Sequence, residues 1–240
     1  MPRSTVQVGG AMLLGLWSMQ TAQAQTCQAQ SAAEPPAVVE LYTSEGCSSC
    51  PPADQWLSSI EAGSSVVALA FHVNYWNHLG WQDRFATPAT TERQYAIKAA
   101  SGSPFVYTPQ VVLNGNDWRD WRGQAPARLP RLSAQHAPAV ALRREAEQVF
   151  AEIGASSLTG ELAGYWAVLE DGQVSRVKAG ENAGSTLRHD HVVSFYQPVN
   201  VWVARAGQRY RCIFPRLTPA SVWPSWSPTV DYPSRFRRSS

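Results

Sequence analysis

Hydrophobic positions fall in short blocks along the first half of this chain, and their spacing separates strands from helices. Residues 38–43 and 66–73 are apolar and rich in β-branched side chains, and each run has the length of a buried strand. Between them, residues 53–61 carry three large apolar side chains at helical spacing, after two prolines that suit the first turn of a helix. The pattern predicts a strand–helix–strand unit with parallel strands.

A second helix and a third strand are predicted next. Residues 88–100 favour a helix, with Thr87 as its N-cap and Pro88 in its first position. Residues 110–113 favour a strand, and Asn114-Gly115 after it is a strong signal for a hairpin turn.

The pattern changes after about residue 138, where apolar runs become short and frequent. Just before this point, residues 124–135 predict one more helix, which Pro130 interrupts. Further on, Asp171-Gly172 indicates a hairpin between two strands. We therefore expect a β-rich region packed on the first one. Its predicted strands are residues 139–142, 161–169, 174–177, 191–196, 199–204 and 210–214.

The N-terminus has the features of an export signal. Arg3 precedes a short apolar core, residues 11–19, and Ala22-Gln23-Ala24 is a small-residue cleavage site, so the mature chain is expected to begin at Gln25. The apolar core is about half as long as a membrane-spanning helix. We expect a periplasmic or secreted protein with no membrane span after signal cleavage, in an oxidising compartment that permits cysteine pairing.

The charge of the chain argues against nucleic acid as a partner. The formal net charge is +2 and 16% of the residues are charged, whereas a nucleic-acid-binding domain needs a clustered basic face. The basic cluster at residues 235–238 lies in a stretch rich in proline, serine and tryptophan that predicts a flexible tail. The sequence shows no glycine-rich phosphate loop, and we predict no cofactor.

Cys47 and Cys50 form a C-x-x-C motif between the first predicted strand and its helix. Two cysteines at this spacing can close a short disulfide ring, and the start of the helix favours the thiolate of the first. Thiolate is the nucleophile in disulfide exchange, so Cys47 is the expected attacking residue and Cys50 the resolving one. A structural disulfide, a metal site and an inactive redox fold are the alternatives for this pair.

Histidines offer a second chemistry for the same cysteines. His72, together with Cys47 and Cys50, would supply two thiolates and an imidazole, a donor set that suits Cu(I) or Zn(II). Because His72 ends an apolar strand, a hydrogen-bonded structural histidine is the competing interpretation. His189 and His191 are two residues apart, which places them on one face of a strand, and we identify no acid or cysteine that would complete a site with them.

The segment at residues 74–85 is aromatic and irregular. Trp76, Trp81 and Phe85 can form a rim around the cysteines, and core packing under a loop is the equally favoured alternative. Asp83, in the same segment, is a candidate for a cap, for an ion pair with Arg84 or Arg93, or for proton transfer.

Four runs of this sequence carry a family resemblance. They are VVELYTSEGCSSCPPAD at 38–54, HVNYWNHLGWQDRF at 72–85, YTPQVVLNG at 107–115 and GENAGSTLRHDHVV at 180–193. In these runs the chain resembles the domain of unknown function 1223 family, an exported branch of the thioredoxin-like superfamily. The resemblance implies an α/β fold, a thioredoxin-like core with an appended β-rich C-terminal region. With the export signal and the change of pattern described above, the expected division is a signal peptide at 1–24, the thioredoxin-like core at 25–137, the β-rich region at 138–218 and a flexible tail at 219–240.

The resemblance also places Cys47, Cys50 and Pro109 at the redox-site positions of the superfamily. In thioredoxin-like folds a cis-proline at this point faces the C-x-x-C motif and helps to receive an extended peptide. Thr108-Pro109 stands just before the third predicted strand, and X-Pro bonds adopt the cis form at low cost. An ordinary trans proline at the start of an edge strand is the alternative.

These observations predict an exported thiol–disulfide oxidoreductase that acts on protein or small-molecule thiols and disulfides through Cys47 and Cys50. The alternatives are a metal-binding or metal-delivery protein that uses the same cysteines with His72, and a non-catalytic binding module. Cys27 and Cys212 are the remaining cysteines, and in an oxidising compartment we expect them to pair with each other.

Overall fold

The structure is a computed structural model that describes residues 27–32, 34–61, 65–131, 137–214 and 229–231. The predicted signal peptide lies outside these residues, as does the predicted tail apart from residues 229–231. Within the described ranges, no helix has the length and apolar character needed to cross a membrane. The strands are β1 (Cys27–Gln30), β2 (Ala37–Thr43), β3 (Val66–His72), β4 (Gln110–Leu113), β5 (Asn116–Asp117), β6 (Val140–Glu145), β7 (Gln148–Ile153), β8 (Glu161–Glu170), β9 (Gln173–Arg176), β10 (Thr186–His189), β11 (Val192–Val203), β12 (Gln208–Ile213) and β13 (Thr229–Asp231). The helices are α1 (Pro51–Ser58) and α2 (Pro88–Ser101), with short 3₁₀ helices at Asn74–Leu79, Pro126–Arg128 and Ala204–Ala206.

Seven strands form one mixed sheet in the order β13-β8-β11-β3-β2-β4-β5. β2 and β3 are parallel and are connected through α1, which confirms the predicted strand–helix–strand unit. β11 lies parallel to β3 on its other side, whereas β4 and β8 run antiparallel to their neighbours β2 and β11. Alternate residues of β2 and β3 pack on opposite faces, so both faces are buried and the strands appear in the sequence as continuous apolar runs.

The prediction of an α/β fold, with a thioredoxin-like core and an appended β-rich C-terminal region, is wrong. Of the described residues, 40% are in strands and 19% in helices, and the strands form three sheets. β8 and β11 come from the C-terminal half, yet they belong to the same sheet as β2 and β3. The physical reason is that β11 pairs with backbone groups of β3 that would otherwise stay unsatisfied at a buried edge.

Two local predictions are also wrong. In the described part of residues 124–135 the chain forms only the 3₁₀ helix Pro126–Arg128, since a proline in the interior would break a longer helix. Asp171-Gly172 does not join two paired strands, because β8 pairs with β11 and β13 while β9 pairs with β10. Asp171 instead accepts a hydrogen bond from the backbone N–H of His191 at 2.7 Å.

The second helix and the hairpin after it follow their sequence signals. α2 begins after Thr87, whose hydroxyl accepts a hydrogen bond from the backbone N–H of Thr90 at 3.1 Å, and ends at Gly102 with a φ of 69°. Asn114 and Gly115 have φ values of 51° and 81° and form the turn between β4 and β5. The predictions of α2 and of the turn after β4 are confirmed. Both features are determined by residues that are neighbours in the chain.

A buried ion pair ties α2 to the seven-stranded sheet. Arg93 of α2 donates from Nε to Glu40 of β2 at 3.0 Å, and both side chains are 6% exposed. The hydroxyl groups of Tyr42 and Tyr165 donate to the same carboxylate at 2.6 and 2.9 Å. The guanidinium of Arg93 also lies 4.1 Å from the centre of the Tyr165 ring. This network fixes the face of β2 opposite the face that packs on α1.

A second sheet has the order β1-β6-β7-β12 and separates the two remaining cysteines. Cys27 lies in β1 and Cys212 in β12, at opposite edges of this sheet. Three strand spacings of about 4.8 Å put these edges about 14 Å apart, whereas a disulfide needs Cα atoms within about 7 Å. Both cysteines are free thiols, so the predicted Cys27–Cys212 bridge is wrong.

Candidate functional site

The C-x-x-C motif closes a disulfide where β2 ends and α1 begins. The Cα atoms of Cys47 and Cys50 are 5.5 Å apart, and Cys50 is the N-cap residue of α1, with two prolines following it in the first turn. The backbone N–H of Cys50 donates to the carbonyl of Cys47 at 3.2 Å. Both cysteines are fully buried, while Ser48 and Ser49 between them are exposed. We call residues 44–50 the cysteine turn.

Pro109 lies beside the cysteine turn. The Thr108–Pro109 peptide bond is cis, and the hydroxyl of Ser49 donates to the carbonyl of Thr108 at 3.4 Å. From the 3₁₀ helix Asn74–Leu79, the indole N–H of Trp76 donates to the Thr108 hydroxyl at 2.8 Å. The structure thus brings together Cys47, Cys50 and Pro109, and their role in exchange stays a prediction.

A groove of about 430 Å³ opens along Thr108 and Pro109 and includes Ser49 in its wall. This volume is in the range of ligand-binding sites. The groove therefore begins at the cysteine turn and continues over a surface that can contact apolar and anionic groups. Its other lining residues are Phe105, Tyr107, Val111, Trp118, Arg119, Trp121 and Arg122.

The loop between β9 and β10 holds the outer side of the cysteine turn. One carboxylate oxygen of Glu181 accepts hydrogen bonds from the backbone N–H of Ser48 at 2.9 Å and from its hydroxyl at 2.8 Å. The side-chain amide of Asn182 donates to the carbonyls of Glu45 and Cys47 at 3.0 and 2.9 Å. Because β9 and β10 form a two-stranded sheet of their own, these contacts join a separate hairpin to the turn.

The three aromatic residues considered as a rim have different surroundings. Trp76 is half-buried and packs so closely on Gly46 that a Cβ at that position would lie 3.0 Å from the Trp76 Cβ. Trp81 is half-buried and donates from its indole N–H to Glu45 at 2.6 Å. Phe85 is buried, and its ring centre lies 5.1 Å from that of His72. Trp76 and Trp81 therefore line the cysteine turn, and Phe85 belongs to the core.

Four buried residues form a closed set of contacts next to the cysteine turn, three through side chains and one through the backbone of Glu45, and we call them the acid–histidine ring. Nδ1 of His72 lies 2.7 Å from Oδ2 of Asp83, and the same oxygen accepts the backbone N–H of Glu45 at 2.9 Å. Nε2 of His189 lies 3.4 Å from Oε1 of Glu45. The rings of His72 and His189 close the set, with centres 4.8 Å apart.

For Glu45, His72 and Asp83, charged neighbours and hydrogen bonds outweigh the effect of burial on the pKa. Burial by itself would lower the pKa of His72, but the charge and hydrogen bond of Asp83 raise it above its ordinary value. Burial would raise the pKa of Asp83, and the proximity of His72 lowers it instead. The pKa of Glu45 is likewise held low, against the effect of burial, by His189 and Trp81. The contacts within the ring therefore favour the charged forms of Asp83 and Glu45 and the protonated form of His72.

Asp54 of α1 is a fifth buried ionisable group in this region. Its carboxylate accepts a hydrogen bond from the hydroxyl of Thr43 at 3.1 Å, and its backbone N–H donates to the carbonyl of Cys50 at 3.2 Å. Burial raises the pKa of Asp54 to about 6, although the positive field of His72 acts in the opposite direction. Asp54 therefore holds its proton at mildly acidic pH.

Two arrangements of histidines considered from the sequence differ from those in the described residues: His72 beside the two cysteines, and His189 and His191 on one face of a strand. In the part of the chain that the structure describes, no three or more His, Cys, Asp or Glu side chains are arranged to hold a metal ion. His72 instead bonds to Asp83, as the structural alternative predicts. His189 and His191 diverge, because His191 lies outside β10 with a φ of 57°, and its ring contacts the carbonyl of Ile60 at 2.9 Å.

Comparison with known proteins gives a family and a structural relative. Residues 38–221 match the family described as protein of unknown function (DUF1223). An X-ray structure of an Agrobacterium tumefaciens protein, a structural genomics target, is 34% identical, with a TM-score of 0.58 over 74% of this chain and 78% of that one. HBP35 of Porphyromonas gingivalis is 14% identical, with a TM-score of 0.47 over 77% of this chain and 65% of its own, which supports no inference. No curated protein matches the chain.

Proposed function

We propose a function for this chain, which belongs to the DUF1223 family of proteins of unknown function, from the chemistry of its cysteine turn. Cys47 and Cys50 exchange their disulfide with the thiols and disulfides of proteins or small molecules. One observation carries the proposal: the Cys47–Cys50 disulfide closes at the end of a buried strand and the start of α1, next to a groove that includes Ser49.

The position of Cys47 suits it to attack. Once the disulfide is reduced, the N–H groups at the start of α1 and the helix dipole favour negative charge nearby, which stabilises a thiolate. Cys50 is itself the N-cap residue of this helix, and its carbonyl accepts hydrogen bonds from the backbone N–H groups of Ala53 and Asp54. Cys50 is therefore the resolving residue.

The exchange proceeds through a mixed disulfide. In the reducing direction, the Cys47 thiolate attacks one sulfur of a substrate disulfide, and the other substrate sulfur leaves as a thiolate. Cys50 then gives up its proton and attacks the Cys47 sulfur, which releases the first substrate sulfur and closes the Cys47–Cys50 bond. The protein loses two electrons, the substrate gains them, and two protons end on the substrate thiols. The reverse sequence oxidises a substrate dithiol.

Burial of both cysteines sets a condition on this chemistry. Neither residue has exposed surface in the disulfide form, so a substrate sulfur reaches Cys47 only when the cysteine turn moves. Ser48 and Ser49 are the exposed part of the turn, and they are held by Glu181 on one side and Thr108 on the other. We infer that exchange requires opening at these two contacts.

The proposal includes the compartment in which the reaction takes place and the surface that would hold the substrate. The N-terminal residues have the features of an export signal, which would deliver the protein to the periplasm or the exterior, where disulfides persist. The groove beside Pro109 presents aromatic and arginine side chains and would hold the part of the substrate that flanks its reactive sulfur.

The complete burial of the disulfide favours a second candidate, a non-catalytic binding module. In that case the Cys47–Cys50 bond only stabilises the turn, and the groove binds a partner without exchange. The two candidates differ in one property. A binding module keeps the disulfide closed in the folded state, whereas an exchange protein opens and closes it.

Trapping the mixed disulfide tests the proposed function. In Cys50→Ser the resolving thiol is absent, so incubation with oxidised glutathione should leave a glutathione adduct on Cys47, detected by peptide mass spectrometry. Cys47→Ser is the matched control, and Cys50, which is the N-cap residue of α1, should be modified much more slowly. Equal modification of the two variants, or none in either while the fold is intact, would favour the binding module.

A further inference from the structure

The acid–histidine ring shares a residue with the cysteine turn. Glu45 lies two residues before Cys47, and the side-chain amide of Asn182 binds the carbonyls of both. The backbone N–H of Cys47 in turn donates to the carbonyl of Ser44 at 3.1 Å. The position of Cys47 is therefore fixed relative to Glu45, and through Glu45 relative to the rest of the ring.

The ring contains polar atoms that no neighbour satisfies. Glu45 Oε1, His72 Nε2 and both ring nitrogens of His189 are buried and have no hydrogen-bond partner among the described residues. Oε1 of Glu45 and Nε2 of His189 face each other at 3.4 Å. A buried carboxylate oxygen is costly unless a donor faces it, and only the protonated imidazole can supply both a donor and an opposite charge here.

We infer that the acid–histidine ring is an array of two carboxylates and two imidazolium ions, and that Glu45 and His189 are positioning residues that set the stability of the Cys47 thiolate. This inference rests on the proposed function, since it concerns the sulfur that would attack. His72 and Asp83 complete the array and neutralise each other at 2.7 Å. The array as a whole has no net charge.

Removal of one member leaves a net charge beside the cysteine turn. Without an imidazolium the ring is negative and opposes the thiolate of Cys47, and without a carboxylate it is positive and favours the thiolate. The groups that face the turn and its ring from the packed elements are Glu45, Asp54, His72, Asp83, His189 and the Glu181 carboxylate on Ser48. The two kinds of variant therefore have opposite effects, which a loss of packing alone would not produce.

The test measures the pH dependence of Cys47 alkylation in the Cys50→Ser background. Peptide mass spectrometry separates Cys47 from Cys27 and Cys212 while iodoacetamide reacts with the folded protein. His189→Gln should raise the pH of half-maximal reaction, and Glu45→Gln should lower it, each by about tenfold in the acid dissociation constant. His191→Gln replaces a buried histidine outside the ring and should leave the pH of half-maximal reaction unchanged.

Shifts in the same direction for His189→Gln and Glu45→Gln, or no shift in either, would overturn the inference. The protonation state of His189 gives a second measurement that needs no variant. Nitrogen-15 shifts of the parent protein at neutral pH should report an imidazolium at His189, and a neutral ring would also overturn the inference. Opposite shifts without any glutathione adduct at Cys47 would overturn the proposed function alone, and an adduct without opposite shifts would overturn the ring's role alone.

Discussion

Glu181 binds both polar groups of Ser48 with one carboxylate oxygen, at 2.9 Å to the backbone N–H and 2.8 Å to the hydroxyl. The two residues are 133 positions apart in the chain, so this contact joins the β9–β10 hairpin to the exposed part of the cysteine turn. Because Cys47 is fully buried next to Ser48, the Glu181–Ser48 contact lies where the turn would have to open.

Glu181→Gln should make the disulfide easier to reduce. An amide oxygen accepts these hydrogen bonds more weakly than a carboxylate, so the cysteine turn opens more often and dithiothreitol reduces Cys47–Cys50 faster. The hydrogen bonds from Ser48 hold the pKa of Glu181 below its ordinary value, so the contact persists at neutral pH and is lost as the pH falls through the acidic range. Glu92→Gln, an exposed residue of α2, is the control. If dithiothreitol reduced the disulfide of Glu181→Gln and of Glu92→Gln at equal rates, the role of the Glu181–Ser48 contact in holding the cysteine turn closed would be contradicted.

Asp54→Asn should stabilise the protein at neutral pH. The pKa of Asp54 is about 6 in the folded state and about 3.9 in an unfolded chain, so the folded state binds the proton more tightly. The resulting stability is fully present below about pH 4 and is lost as the pH rises through 6. The asparagine has no such loss and should gain roughly 1–3 kcal/mol at pH 7.5 and little at pH 4.

Urea denaturation at the two pH values measures this difference. Asp120→Asn, an exposed aspartate, is the control and should change little at either pH. An Asp54→Asn variant that is less stable than the parent at pH 7.5 would show that the Asp54 carboxylate is ionised and stabilising in the folded state.

The parts of the site that the sequence predicts are those that depend on neighbouring residues. The spacing of Cys47 and Cys50 and the prolines after them indicate a disulfide at the start of a helix, and the structure has it there. Glu45 and His189 lie far apart in the chain, and hydrophobic periodicity carries no information about which strands or loops meet. The predicted fold class is wrong for the same reason, because β11 and β3 lie far apart in the chain and their pairing is long-range.

One sequence signal includes two residues of the site that were not considered, Glu181 and Asn182, and His189, which was considered only beside His191. Glu181, Asn182 and His189 all lie within GENAGSTLRHDHVV, the run at 180–193 that resembles the family. Their contacts with Ser48 and Glu45 explain why polar side chains in this loop belong to the site. Asp83 was a candidate for pairing with an arginine, and its partner is His72.

Arg93→Met should destabilise the protein by about 3–5 kcal/mol, because it leaves the buried Glu40 carboxylate without its counter-ion. Replacing both residues, as Glu40→Leu with Arg93→Met, should restore part of the loss, since no uncompensated charge remains. Arg119→Met removes an exposed partner of Asp117 and is the control with a small effect. Thermal unfolding measures all three. If the double variant loses more stability than the two single variants lose together, the pairing of Arg93 with Glu40 would be contradicted.

Cys27 and Cys212 should differ in reactivity as free thiols. Burial raises the pKa of Cys212 to about 11, so at pH 8 little thiolate is present and the residue is also inaccessible. Cys27 is half-buried and should react with a thiol reagent in the folded protein, whereas Cys212 should react only after unfolding. Peptide mapping without reduction checks the pairing, and recovery of a Cys27–Cys212 peptide would contradict the strand order of the four-stranded sheet.

The redox equilibrium of Cys47–Cys50 in the folded protein tests the exchange chemistry most directly. The protein is incubated in glutathione and dithiothreitol buffers of graded ratio, its thiols are alkylated, and the fraction of reduced pair is read by mass spectrometry while circular dichroism confirms that the fold is intact. We predict a reversible transition in which the same intermediate fraction is reached from the oxidised and the reduced protein. A pair that stays oxidised in every buffer, and opens only when the chain unfolds, would contradict thiol–disulfide exchange as the function of this protein.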